Sequence, residues 1–99
     1  MNYKIYQTDP HTCDYTFEWW SWAKDSFNFK DYKLVYEANC IPSEDGPTAT
    51  LEELFEVFNV ERPDNFKGHS LSVSDIVELD GHYYYCDNVG WLDITKYIK

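Results

Sequence analysis

The chain is short of positive charge. Its 99 residues carry 8 lysines and arginines against 18 aspartates and glutamates, a formal net charge of −10. Phosphate backbones are gripped by clustered Lys and Arg, so direct binding to nucleic acid is not expected. A protein partner with a basic surface is the better electrostatic match. Long apolar runs are also missing: no stretch reaches the ~18 apolar residues that a membrane-spanning helix requires. Met1 to Gln7 has neither the basic start nor the apolar middle of a secretory signal, and a cytoplasmic protein is expected. Cysteine is scarce. Cys13, Cys40 and Cys86 are odd in number and widely spaced, which predicts three reduced thiols rather than a disulfide framework.

Motifs for chemistry are thin. His11, Cys13, Cys40, His69, His82 and Cys86 are metal-ligand types, but no CxxC or HxxxH pairing joins them. His82 and Cys86 lie four apart, a separation of about 13 Å on a strand. No metal and no cofactor is expected. Cys86 or Ser72 can be paired with His69 as nucleophile and base, yet nothing in the sequence brings them together and no third residue is marked to orient the base. The expectation is a protein without catalytic residues, not an enzyme.

Aromatic residues are abundant: nine Tyr, six Phe and four Trp make up 19% of the chain. That excludes a disordered composition. It supplies much contact area per residue, both for one modest core and for a partner. Residues 1–99 are read as a single domain, with no repeat and no linker.

Along the chain, "NYKIYQ" alternates as a first strand. Asp14 is placed to cap a helix through "YTFEWWSWAKDSF", with Phe17, Trp20 and Phe27 on the core face and Trp19 and Trp22 projecting elsewhere. "DYKLVYEANC" reads as a second strand, Tyr32, Leu34 and Tyr36 on one side and Lys33, Val35 and Glu37 on the other. Pro42, Gly46 and Pro47 mark "IPSEDGPTAT" as a loop. Thr50 and Glu53 then form a Thr-x-x-Glu capping box, opening a second helix whose stripe is Leu51, Leu54, Phe55 and Phe58 and which ends near Asn59.

The most patterned stretch is "GHSLSVSDIVELDGHYYYCDNVGW", Gly68 to Trp91. Ser70, Ser72 and Ser74 alternate with Leu71 and Val73, which places the serines on one strand face. Gly68 makes a turn and Asp75 anchors the strand "IVEL". Asp80-Gly81 is a strong hairpin signal leading into "HYYYC", and a turn at Asp87-Asn88 leads to "GWLDI". The element order is β-α-β-α-β-β-β. Short connections and sequential final strands predict an α+β fold with an antiparallel sheet, flat or curled towards a barrel, two helices and a C-terminal meander.

Several of these residues resemble the YodL-like domains of Gram-positive bacteria and their mobile elements. The resemblance rests on Phe58-Asn59, Pro63 with Phe66, the run from Gly68 through Asp75, the tyrosines from Tyr83 to Tyr85, and "LVYEANC" followed by "LEELFEVFN". It spans roughly Tyr32 to Trp91 and leaves "FEWWSWAKDSF" outside. It implies context more than chemistry: domains of phages, plasmids and conjugative elements, with no established enzymatic activity. By analogy with small acidic counter-defence proteins, it implies an anti-CRISPR or anti-restriction inhibitor. An accessory interaction module without inhibitory role is the alternative.

Carboxylates carry the remaining signal. Glu52, Glu53 and Glu56 fall on the outer side of the second helix, and Glu44 and Asp45 precede it. With Trp19 and Trp22 as aromatic anchors, these residues are the expected contact with a basic partner, a Cas nuclease or a restriction enzyme, toward whose nucleic-acid channel the carboxylates would mimic phosphates. A solvated helix face is the plainer account.

Overall fold

The computed structural model describes residues 1–66 and 68–98. One five-stranded antiparallel sheet organises it, in the order β2-β1-β3-β4-β5. The strands are β1 (Asn2–Gln7), β2 (Lys33–Asn39), β3 (Ile76–Leu79), β4 (His82–Cys86) and β5 (Trp91–Asp93). The sheet is open, with β2 and β5 at its edges, so the α+β order and the final meander are as expected and the barrel-like curl is not formed.

Alternation along β1 explains the layers. Tyr3, Ile5 and Gln7 are buried, and the register pairs Tyr3 with Leu79 and Ile5 with Val77. These residues share a face with Leu51, Leu54 and Phe58 of α2 (Pro47–Val60). The opposite face carries Ile76 and Tyr85, covered by Tyr15, Trp20, Ala23 and Ile94. Burying one side of each strand against a separate cover is what fixes register.

The hairpin between β3 and β4 turns as the Asp-Gly pair requires. Asp80 has φ 52° and Gly81 φ 80°, so both central residues lie in the left-handed region that the strand twist favours. The expected stripe of α2 is also observed, with Leu51, Leu54 and Phe58 buried and Phe55 half-buried.

Four local expectations are corrected. First, α2 begins at Pro47, three residues before Thr50, and the capping box does not form. Proline's fixed φ and missing N–H suit a first helical position, so Gly46-Pro47 starts the helix instead of prolonging the loop. Thr50 is buried in the first turn, where its Oγ1 accepts the Ser43 N–H at 2.8 Å. Second, the helix through "YTFEWWSWAKDSF" shrinks to α1 (Trp20–Ala23), one turn with no side-chain cap. Phe17 has φ 71°, which no helix tolerates, and Asp14 is exposed. Third, β2 carries a bulge: Ile5 pairs with Tyr36 but Tyr6 pairs with Leu34. The extra residue is Val35, and strict alternation fails there. Val35 and Tyr36 both pack on the α2-side core while Leu34 is exposed. Fourth, Ser70 to Ser74 form a loop closed by a turn, not a strand face.

Two 3-10 turns complete the second cover, Phe29–Asp31 and Thr95–Tyr97. Cys13, Cys40 and Cys86 are all free. No helix among the described residues is long and apolar enough to cross a membrane.

Candidate functional site

Glu52, Glu53 and Glu56 are exposed on the outer side of α2, and Glu44 and Asp45 are exposed in the turn before it. Helical spacing puts Glu53 and Glu56 beside two apolar residues that fall outside the buried stripe, Val57 and Val60. Val57 is 43% exposed and Val60 73%. With Glu61 they line a shallow concavity of about 290 Å³. An apolar centre rimmed by charge is the anatomy of a protein contact. Sequence reasoning counted Glu61 in the acidic segment that follows the helix and missed Val57 and Val60. The available signal was the two valines at i and i+3, off the Leu51–Leu54–Phe58 stripe.

Trp19 and Trp22 are exposed as expected, at 51% and 55%. They do not join the carboxylates. α1 belongs to the cover on the opposite sheet face from α2, through Trp20 and Ala23. The acidic and aromatic residues therefore make two surfaces with the sheet between them, and the expected single contact is corrected. Phe17, half exposed, adds to the aromatic side and packs edge-on against His69 at 5.3 Å.

The Gly68–Asp75 motif is a knot that holds both covers to the sheet. Asp75 is fully buried, and its Oδ2 accepts the Ser72 N–H at 2.8 Å and Gln7 Nε2 at 3.0 Å. Gln7 Nε2 also donates to the His69 carbonyl. A Cβ at Gly68 would run into the buried Gln7 side chain, so close approach rather than φ favours glycine there. Ser74 ties in the second cover: its Oγ accepts the Phe17 N–H at 2.9 Å, and its carbonyl accepts the Tyr32 hydroxyl at 2.6 Å. The Cys86 N–H donates to the Asp75 carbonyl, and the Cys86 carbonyl accepts the Ser74 N–H.

Two atoms of the knot lack hydrogen-bond partners, His69 Nε2 and Asp75 Oδ1, and they face each other at 3.9 Å. His69 Nδ1 donates to the Ser70 carbonyl at 2.8 Å, which leaves Nε2 a lone-pair acceptor. Burial pushes the Asp75 carboxyl well above its usual range, against the opposing pull of the bonds from Ser72 and Gln7. At 3.9 Å the two atoms face each other without a direct hydrogen bond.

The nucleophile pairings find little support. Cys86 is buried, and burial first, then the charges of Asp75, Glu52 and Asp87, push its thiol up to about 12. Such a thiol stays protonated at neutral pH and is a poor nucleophile. Ser72 Oγ donates to the Ser70 carbonyl. Among the described residues, no group of three or more His, Cys, Asp or Glu is placed to hold a metal ion. His82 bridges instead to Asp93 at 2.9 Å across the β4–β5 pair.

No curated protein and no solved structure matches the chain. The YodL-like domain family matches residues 2–97 of the 99, which takes in the aromatic segment around Trp19 and Trp22 as well as the Gly68–Asp75 knot. The chain belongs to the YodL-like domain family.

Proposed function

We propose that this protein is a non-enzymatic binding module that docks on a basic protein surface through the outer face of α2. The observation that carries this is the exposed Val57–Val60 pair rimmed by Glu53, Glu56 and Glu61. Apolar side chains supply the desolvated centre of such a contact, and the carboxylates supply steering and register. With a net charge of −10, the partner is a protein that itself handles nucleic acid and so presents a basic channel. The partner class proposed is a defence nuclease, a Cas effector or a restriction enzyme, with the protein acting as a stoichiometric counter-defence inhibitor encoded by a mobile element.

A second reading has its own support. Trp19 and Trp22 are exposed on the other side of the sheet, which gives the module two separate surfaces. Two surfaces suit an accessory adaptor of a phage or conjugative element, bridging two proteins without inhibition.

The test is binding of restriction and CRISPR effectors from the host, with DNA as competitor. The triple reversal Glu52→Lys, Glu53→Lys, Glu56→Lys is expected to slow association, and the wild-type rate to fall with salt as the ~8 Å Debye length shortens. Stability should move by no more than about 0.5 kcal/mol, since these are solvated surface positions. Equal association rates for both proteins across salt concentrations would sink the proposal. Binding that survives saturating DNA and is lost on Trp19→Ala and Trp22→Ala instead points to the adaptor.

A further inference from the structure

Three of the chain's eight basic residues converge on one groove. Lys24, Lys30 and Lys96 line it together with Phe27, Phe29 and Tyr97, around a volume of about 700 Å³. No carboxylate among the described residues lines it, although the chain has 18. Among the described residues none of the three lysines forms a salt bridge; the ion pairs there are His69–Asp75 and His82–Asp93. Gathering three lysines on one groove concentrates positive charge locally on an otherwise acidic chain.

The walls are aromatic and braced from behind. Phe27 meets Trp20 edge-on at 5.2 Å, Phe29 stacks on Tyr32 at 5.8 Å, and Tyr97 lies against Trp20 at 5.0 Å. Lys96 Nζ sits 5.4 Å from the centre of the Tyr97 ring. Aromatic rings braced by their neighbours and exposed ammonium groups thus line one groove.

We propose that the groove between Lys24, Phe27–Lys30 and Lys96–Tyr97 binds a phosphorylated aromatic compound of nucleotide size, with a nucleoside monophosphate as its simplest form. Ammonium groups act as point charges for a phosphate, and aromatic side chains stack a planar base without regard to its identity. The volume lies within the roughly 300–1,000 Å³ of small-ligand sites. A free nucleotide fits the charge distribution better than a long strand does. Its charge stays within the groove, whereas a polyanion would extend over the surrounding acidic surface and be repelled. The site lies on the sheet face opposite α2, so it stands or falls independently of the docking surface there.

Calorimetric titration of the intact protein with AMP, adenosine and inorganic phosphate tests this. AMP should bind at least about tenfold tighter than adenosine or phosphate. The triple variant Lys24→Glu, Lys30→Glu, Lys96→Glu should weaken AMP about tenfold or more, with its melting temperature unchanged because all three side chains are exposed. If the reversal unfolds the protein, Lys30→Gln and Lys96→Gln carry the same expectation in smaller measure. Tyr97→Ser should abolish the advantage of AMP over phosphate. The proposal is overturned if AMP binds no tighter than phosphate, or if the charge variants bind AMP as well as wild type. It is overturned too if single-stranded oligonucleotides bind more tightly as they lengthen, for the groove would then be a strand-binding surface.

Discussion

On one face of the sheet, a 14-residue helix lays Leu51, Leu54 and Phe58 across β1 and β3. On the other, the longest helix has four residues, and the cover is a winding chain of tyrosines, phenylalanines and Trp20. The first cover is periodic and stabilised by volume. The second is irregular and pinned by side chains that reach backbone groups: Ser74 Oγ to the Phe17 N–H, Asp87 Oδ1 to the Trp20 N–H, and the Tyr85 hydroxyl to the Glu18 carbonyl. A chain without helix or strand must satisfy its backbone in this way or leave polar groups buried and unpaired. The acidic docking face proposed lies on the periodic side, and the lysine groove on the irregular one.

The largest effect should separate these two kinds of stabilisation. Phe58→Ala removes a fully buried ring from under α2 and should cost about 4 kcal/mol, the cavity included. Urea unfolding measures it. A loss below about 1 kcal/mol would mean that α2 is not what closes this face.

On the hydrogen-bonded side the matching test is Asp75. Asp75→Ala orphans the Ser72 and Gln7 donors inside the protein and should cost about 3 kcal/mol. The pH dependence is sharper. Because burial raises the native carboxyl, the folded state keeps its proton to higher pH than the unfolded chain, where Asp titrates near ~4. This contribution is complete below that value and is lost as pH rises through the native pKa. Asp75→Asn copies the protonated acid: its oxygen can take the two donors and its amide can face His69 Nε2. The variant should be at least as stable as wild type at pH 7 and should lack this part of the pH slope. Parallel stability–pH curves for the two proteins would show that Asp75 is ionised in the fold.

The β3–β4 hairpin serves both faces and gives an intermediate effect. Nothing lies within 4 Å of a Cβ added at Gly81, so Gly81→Val is opposed by backbone conformation alone, at φ 80°. About 1–2 kcal/mol is expected in thermal or urea unfolding. An unchanged melting temperature would mean that the turn rearranges freely.

The same contrast decides what was legible beforehand. The α2 stripe, the alternation of β1 and the Asp80-Gly81 turn could be read because each obeys a period or a local rule. The helix expected from Asp14 onward could not be corrected from sequence. What breaks it is Ser74, Asp87 and Tyr85, more than fifty residues away, offering its backbone better partners. The serine alternation misled for the same reason: Asp75 and Gln7 organise that segment across |i−j| of 68. Of the residues proposed for binding, the carboxylates were legible as exposed helix positions. Their separation from Trp19 and Trp22 was not, because it depends on which sheet face each cover takes. The lysine groove joins residues 24–30 to 96–97, and no local pattern links those two segments.

The smallest effect belongs to Phe17, and its smallness is informative. A bulky aromatic at φ 71° is strained by about 1 kcal/mol relative to glycine. Phe17→Gly removes that strain. It also gives the unfolded chain more freedom, at a cost of roughly 0.5–1 kcal/mol, and gives up the edge contact with His69. These terms nearly cancel, so the net change should lie within about 0.5 kcal/mol. On that balance the half-exposed ring contributes to the aromatic surface proposed with Trp19 and Trp22 rather than to stability. Partner binding through the aromatic side should then fall in Phe17→Gly while the melting temperature holds. A loss of more than about 2 kcal/mol would instead make Phe17 a structural clamp on the Asp75 knot, and the irregular face would then present two exposed aromatic anchors rather than three.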